Sequence, residues 1–156
     1  MPAGAERGEL VIRRLLPAPP ALVWQVWTTP AHIMQWWGPR GCVAFSCTMD
    51  PRPGGAWRVG MRAPDGEVLW TRGEFHELVP PSRMVMSFAW DGPVGVLGGP
   101  TVVTIDLTEH AGQTQLVLRH HGFETDDARD RHLAGWIDSI DRFAEHLSRP
   151  AKDSVS

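Results

Sequence analysis

Histidines are the first residues to test for chemistry, as metal ligands or as acid–base groups, and the chain has seven. A helical zinc clamp of the HExxH type is missing, and His132 and His146, on one predicted helix, are 14 positions apart, too far to share an ion. His120 and His121 fall on opposite faces of a strand, so no metal site and no cofactor are expected. His120 shares the face of Leu116 and Leu118 and so points into an apolar interior. There it either orients a polar ligand group, moves a proton, or is hydrogen-bonded to a neighbour. Arg72, Glu74 and His76 alternate on one strand face, read first as the solvent side; turned inward they would form an acid–base triplet. The chain has no GxSxG, no cysteine with a histidine close in sequence, and no GxxxxGK[ST] phosphate loop, so no catalytic residue is assigned. Cys42 and Cys47 are five apart, which on a regular strand places them on opposite faces as two reduced thiols.

The more informative set is aromatic. Eight Trp and six Met accompany a complete absence of Tyr. Trp57, Met61, Met86, Phe88, Trp90 and Trp136 occupy positions whose same-face neighbours are large and apolar, so they point toward an interface between sheet and helix. Many indoles in a closed core are hard to pack without voids, and each needs a partner for its N–H, which favours a pocket over a solid core. The candidate ligand-binding set is therefore Trp37, Trp57, Met61, Phe75, Met86, Phe88, Trp90, His120, Trp136 and Ile140. Trp36 and Trp37 are adjacent and are not expected to face one core together, so one of them lines the cavity mouth, lies exposed, or braces the helix against the next loop. Gly135, inside a helix, costs up to about 1 kcal/mol relative to Ala. Tight packing of helix on strand, or close approach of a ligand, would offset it.

These side chains need a scaffold, and the punctuation of the chain supplies one. A strand at Glu9 to Leu16 stops at Pro17-Ala18-Pro19-Pro20. Short helices follow through Pro20 to Trp27 and Pro30 to Trp36, the second with Thr29 as N-cap. From Gly41 the period becomes that of strands, with Val43, Phe45, Cys47 and Met49 on one side. Further strands are expected at Ala56 to Arg62, Glu67 to Val79, Arg83 to Trp90, Thr101 to His110 and Gln113 to His121, the Asp65-Gly66 pair turning one hairpin. Asp126 to Leu147 reads as one long helix with Leu133, Trp136, Ile137, Ile140, Phe143, Ala144 and Leu147 on its apolar stripe. Helices do not alternate with the strands, so the class is α+β, an antiparallel sheet of about seven strands gripping the last helix. A single domain spans 9–148, with flexible tails at 1–8 and 149–156, and the Gly-rich loop from Asp91 to Pro100 is the expected mobile segment.

A length of 156 residues suits one domain, and a net charge of −3 gives no general attraction for nucleic acid. Neither end carries an apolar run long enough for a bilayer or the layout of a signal peptide, so the expected location is cytoplasmic, away from membrane.

The segments VWQVWTTPAHIMQWWGP (23–39), PGGAWR (53–58), GEFHELVPPSRMVMSF (73–88), TVVTIDL (101–107), LVLRHHGF (116–123) and HLAGWIDSIDRFAEHL (132–147) together resemble the START-like helix-grip superfamily, and most closely its branch of activator of heat-shock-protein-90 ATPase homologues. The resemblance implies a curved sheet wrapped around the C-terminal helix, with a cavity between them that across the superfamily holds lipids, polyketides and other apolar small molecules. The eukaryotic activator engages its chaperone through a separate N-terminal domain, for which 156 residues leave no room. Three functions stay open: binding of an apolar or aromatic small molecule, which the residues favour; a cyclase or aromatase-type enzyme; and a protein-interaction or stress-response module, as a homodimer or with a chaperone partner.

Overall fold

The computed structural model describes residues 8–91 and 101–148. Strand β1 (Leu10–Leu16) ends at the prolines, and Pro20 opens helix α1 (Pro20–Trp27), where the N–H that proline lacks has no helical partner in any case. Helix α2 (Pro30–Trp36) follows after two residues. Thr29 sits at its N-cap as expected, but its hydroxyl turns back to donate to the Gln25 carbonyl (2.6 Å) and makes no bond to the first-turn N–H groups of α2. Strands β2 (Val43–Met49), β3 (Ala56–Arg62), β4 (Val68–Val79), β5 (Arg83–Asp91), β6 (Thr101–His110) and β7 (Gln113–His121) lead to helix α3 (Asp126–Leu147). Thr125 caps α3 by accepting from the Ala128 N–H, and Asp126 and Asp127 lie in its first turn, where the helix dipole favours negative charge.

The seven strands form one antiparallel sheet in the order β1-β7-β6-β5-β4-β3-β2. β1 and β2, consecutive in the chain, stand at opposite edges, so α1 and α2 carry the chain from one edge to the other. α3 packs against α2 and β1 on the inner face, which is the helix-grip arrangement expected from the sequence. Strict alternation of buried and half-exposed residues along β6 and β7 marks that face, with Val103, Ile105, Leu107, Leu116 and Leu118 pointing in. Among the described residues, no helix is long and apolar enough to cross a membrane.

Several expectations change at irregular points. A bulge at Phe45 breaks the β2 register between Ala44 and Ser46, so Ala44 faces in before it while Cys47 and Met49 face in after it. Val43 and Phe45 are therefore exposed and do not share a side with Cys47 and Met49 as expected, and Cys42 and Cys47, expected on opposite faces, both turn inward as free thiols, Cys47 pushed up to about 11 by burial. A second bulge in β4 lies between Phe75 and Glu77. Arg72, Glu74 and His76 are all exposed, on the solvent side. Ile137 is 43% exposed and leaves the stripe of α3, because that stripe is narrow, running through Trp136, Ile140 and Phe143. The loop expected to be mobile, beyond Asp91, and the expected tails, apart from the buried Gly8, fall outside the described residues.

Candidate functional site

The adjacent indoles Trp36 and Trp37 are both buried, at 0% and 5% exposure. The helix ends between them: Trp37 is the C-cap in an extended conformation (φ −70°, ψ 133°), and this change of direction sends two neighbouring side chains into one core. Trp36 packs edge-on against Phe143 (4.6 Å) and close to Trp27 (4.8 Å). Trp37 meets Trp57 (5.4 Å), Trp136 (5.6 Å) and Phe88 (6.4 Å). The packing that was thought to exclude one indole therefore uses both.

Beside Trp37 lies a cavity of about 190 Å³. Its sheet wall is Met61, Thr71, Phe88 and Trp90; its helix wall is His132, Gly135, Trp136 and Ser139, with Arg131 also contributing; Gly38 and Pro39 close one side. Of the predicted ligand-binding residues, Trp37, Met61, Phe88, Trp90 and Trp136 come together on this wall. Trp57, Phe75, Met86, His120 and Ile140 are buried in the core behind it. Thr71, His132, Gly135 and Ser139 also line the wall, and the sequence signal for the last three is their spacing on α3, three and then four apart on the flank of Trp136. A larger hollow of about 410 Å³ lies over the outer sheet face, beside the exposed Arg58, Arg72 and Glu74. Charged and hydroxyl side chains line it, whereas buried aromatic walls make the smaller inner cavity the better candidate for an apolar ligand.

The Trp37-Gly38-Pro39 bracket is fixed to α3 by polar contacts. Arg142 Nη1 donates toward the carbonyls of Trp37 (3.3 Å), Gly38 (2.9 Å) and Pro39 (3.2 Å). The Gly38 N–H donates to Ser139 Oγ (3.1 Å), the Arg40 N–H to Asp138, and the Arg40 side chain pairs with Glu145. Gly38 has φ +101°, and a Cβ there would lie 2.7 Å from the Met61 sulfur, so both backbone and space require glycine. At Gly135 the situation is different. An added Cβ would meet only the Pro39 ring, at an ordinary 3.7 Å, so the residue is not there to let a strand approach; its missing side chain is cavity space.

Polar groups around the cavity are joined in directed chains. The Trp136 indole N–H donates to His120 Nδ1 (2.9 Å); His120 Nε2 lies 2.6 Å from Thr101 Oγ1, which donates to the Phe88 carbonyl (3.1 Å). One assignment satisfies all three: His120 is neutral with its proton on Nε2. Burial first, then His132 and His121, push its pKa well below the usual imidazole range. The Trp90 N–H donates to His132 Nε2 (2.9 Å), while His132 Nδ1 donates to the Ala128 carbonyl (2.7 Å). Burial is again the main cause of a lowered His132 pKa, with Arg131 adding to it. Both rings are thus neutral with both nitrogens engaged, and neither offers a free acid or base. Among the described residues no cluster of three or more metal-binding side chains occurs.

The lowered pKa values predict acid sensitivity. Between the unfolded value of about 6.5 and the folded values, the unfolded chain binds more protons than the native one. Stability is then fully present above about pH 6.5 and falls as pH drops through the folded values, by up to about 1.4 kcal/mol per pH unit for each histidine. Urea midpoints at about pH 7 and about pH 5.5 should differ accordingly; equal midpoints would mean that these rings are not held neutral.

A sequence model of the family described as Activator of Hsp90 ATPase homolog 1-like protein matches residues 17–148. The chain belongs to this family. Solved structures give the same fold for this Activator of Hsp90 ATPase homolog 1-like chain: a protein from Chromobacterium violaceum is 25% identical, with a TM-score of 0.82 covering 93% of this chain and 100% of that one. A protein from Rhodobacter sphaeroides is 27% identical, with a TM-score of 0.76 and 93% of each chain covered. One from Silicibacter pomeroyi, which carries the family's name, is 25% identical, with a TM-score of 0.77 over 90% of this chain and 97% of that one. No curated protein matches the chain. The START-like assignment and the helix-grip fold therefore hold.

Proposed function

We propose that this protein binds a compact, apolar aromatic molecule in the cavity between the sheet and α3. The observation that carries the reading is a cavity of about 190 Å³ walled by Trp37, Phe88, Trp90 and Trp136, whose indole N–H groups are already bonded within the protein. Such a wall offers ring faces and edges and asks for no polar partner. An apolar cavity of about 150 Å³ engineered in another protein stays dry and takes up benzene, so the size suits one ring with a small substituent. The START-like fold, with its sheet-and-helix cavity, agrees with this. Binding is favoured over a cyclase or aromatase reaction because His120 and His132 have no free nitrogen. It is favoured over a partner surface built on Trp36 and Trp37 because both are buried.

Calorimetric titration with α-methylstyrene tests the reading. Saturable binding with a negative heat-capacity change, the mark of apolar burial, is expected; no heat at two well-separated temperatures, up to the solubility limit of this and of toluene, would refute it. Gly135→Ala supplies a sharper version. The methyl group meets no obstacle and improves helix propensity, so stability should rise by up to about 1 kcal/mol, while the same methyl occupies cavity space and should weaken α-methylstyrene several-fold. A thermal melt and a titration of the same sample read both signs. Unchanged affinity would place the ligand elsewhere.

A further inference from the structure

We infer that the ligand carries a single hydrogen-bond acceptor, a carbonyl attached to the aromatic ring, which receives the hydroxyl hydrogen of Ser139. This rests on the reading of the cavity as the binding site. Ser139 is 5% exposed and stands on the cavity wall one turn after Gly135. Its oxygen accepts the Gly38 N–H at 3.1 Å, and among the described residues its hydroxyl gives no hydrogen bond. A buried hydroxyl that receives a bond and gives none is a donor awaiting an acceptor, and it rotates freely about its Cβ–Oγ bond to find one.

The rest of the wall shows why the acceptor goes there. Thr71 Oγ1 takes the Trp37 N–H (3.2 Å) and gives its hydrogen toward the Val59 carbonyl (3.4 Å). His132 has both nitrogens bonded. The carbonyls of Trp37, Gly38 and Pro39 already receive Arg142. Arg131 pairs with Asp127 at 3.1 Å on the exposed flank of α3, at the solvent side of the wall. A hydroxyl or amine on the ligand would meet side-chain oxygens, Ser139 Oγ and Thr71 Oγ1, that each already receive one N–H and keep only a second lone pair for it. A ring-bound ketone, aldehyde or ester brings an acceptor alone. The wall thus suits an aryl carbonyl compound, which brings an acceptor to the hydroxyl hydrogen that Ser139 does not give within the protein.

The test compares acetophenone with α-methylstyrene, which differ only in C=O against C=CH2, on wild type and on Ser139→Ala. The expected result is that Ser139→Ala weakens acetophenone about three- to tenfold relative to α-methylstyrene, the worth of one neutral hydrogen bond. The α-methylstyrene arm also reports whether the variant keeps its cavity, since Gly38 loses an acceptor in it. A second readout needs no variant: the infrared carbonyl stretch of acetophenone bound to wild type should fall below its frequency in hexane. A stretch equal to that in hexane, or equal weakening of both ligands by Ser139→Ala, overturns the inference while leaving the cavity reading intact. Failure of wild type to bind either ligand overturns both.

Discussion

Replacing Trp136 by alanine is expected to lower the unfolding free energy by about 4 kcal/mol, within the range of about 3 to 5 kcal/mol for deletion of a buried large aromatic side chain. The indole is 5% exposed and shares ring contacts with Trp27 (6.1 Å), Trp37 (5.6 Å), Phe88 (6.1 Å) and His120 (6.2 Å). Its loss opens the cavity wall on the helix side and also leaves His120 Nδ1 without its donor. Small domains have only about 5 to 15 kcal/mol of stability, so this variant should sit close to its unfolding limit. Trp136→Phe separates the two losses. It keeps a ring on the wall but removes the N–H, and should cost about 1 to 3 kcal/mol from the stranded histidine acceptor. Urea unfolding followed by circular dichroism measures both. A Trp136→Ala cost below about 1 kcal/mol would show that α3 does not depend on this contact.

The second large effect is expected at Arg142. Burial lowers its pKa, yet the guanidinium remains charged and serves three consecutive carbonyls. Arg142→Met keeps a long apolar stem and removes every donor, and should cost about 2 to 3 kcal/mol, the range for hydrogen bonds to a charged group. The local consequence is more specific. Trp37, Gly38 and Pro39 line the cavity, and without Arg142 they are held to α3 by the Gly38 bond to Ser139 and the Arg40 contacts. Hydrogen exchange at the Gly38 amide should therefore accelerate beyond what the global destabilisation explains. Exchange at Gly38 that merely tracks global stability would remove Arg142 from the role of fixing this bracket. Mutations at Trp136 and Arg142 should not add, since both side chains contact Trp37.

The fold was legible because it is written in periods and breaks. Prolines after Leu16, the Asp65-Gly66 turn and the alternation of β6 and β7 placed each element within a residue or so. What sequence could not show was where a period slips. One extra residue at Phe45 reverses the β2 faces, and nothing in the string VAFSCTM distinguishes it from a regular strand. Adjacent side chains on a regular element diverge, which is why Trp36 and Trp37 are not expected in one core; the backbone turns extended at Trp37, so both enter it.

The site was legible in part for a different reason. Large aromatic residues announce an apolar wall, so Trp37, Met61, Phe88, Trp90 and Trp136 were found. Hydrophobicity cannot separate residues that border a cavity from those packed behind it, and Trp57, Phe75, Met86, His120 and Ile140 belong to the second layer. Cavity space is made by what is missing, as at Gly135, and its polarity by bonds between distant residues. Ser139 becomes a one-sided donor only because Gly38, far off in sequence, occupies its oxygen.

The most direct test of the central claim is the shift of the Trp indole N–H signals in a nitrogen–proton correlation spectrum as α-methylstyrene is added. The cavity account predicts that the signals of Trp37, Trp90 and Trp136 move and saturate together, while that of Trp70, stacked under Arg58 on the outer face, stays still. Movement of Trp70 with the three cavity signals unchanged would contradict it.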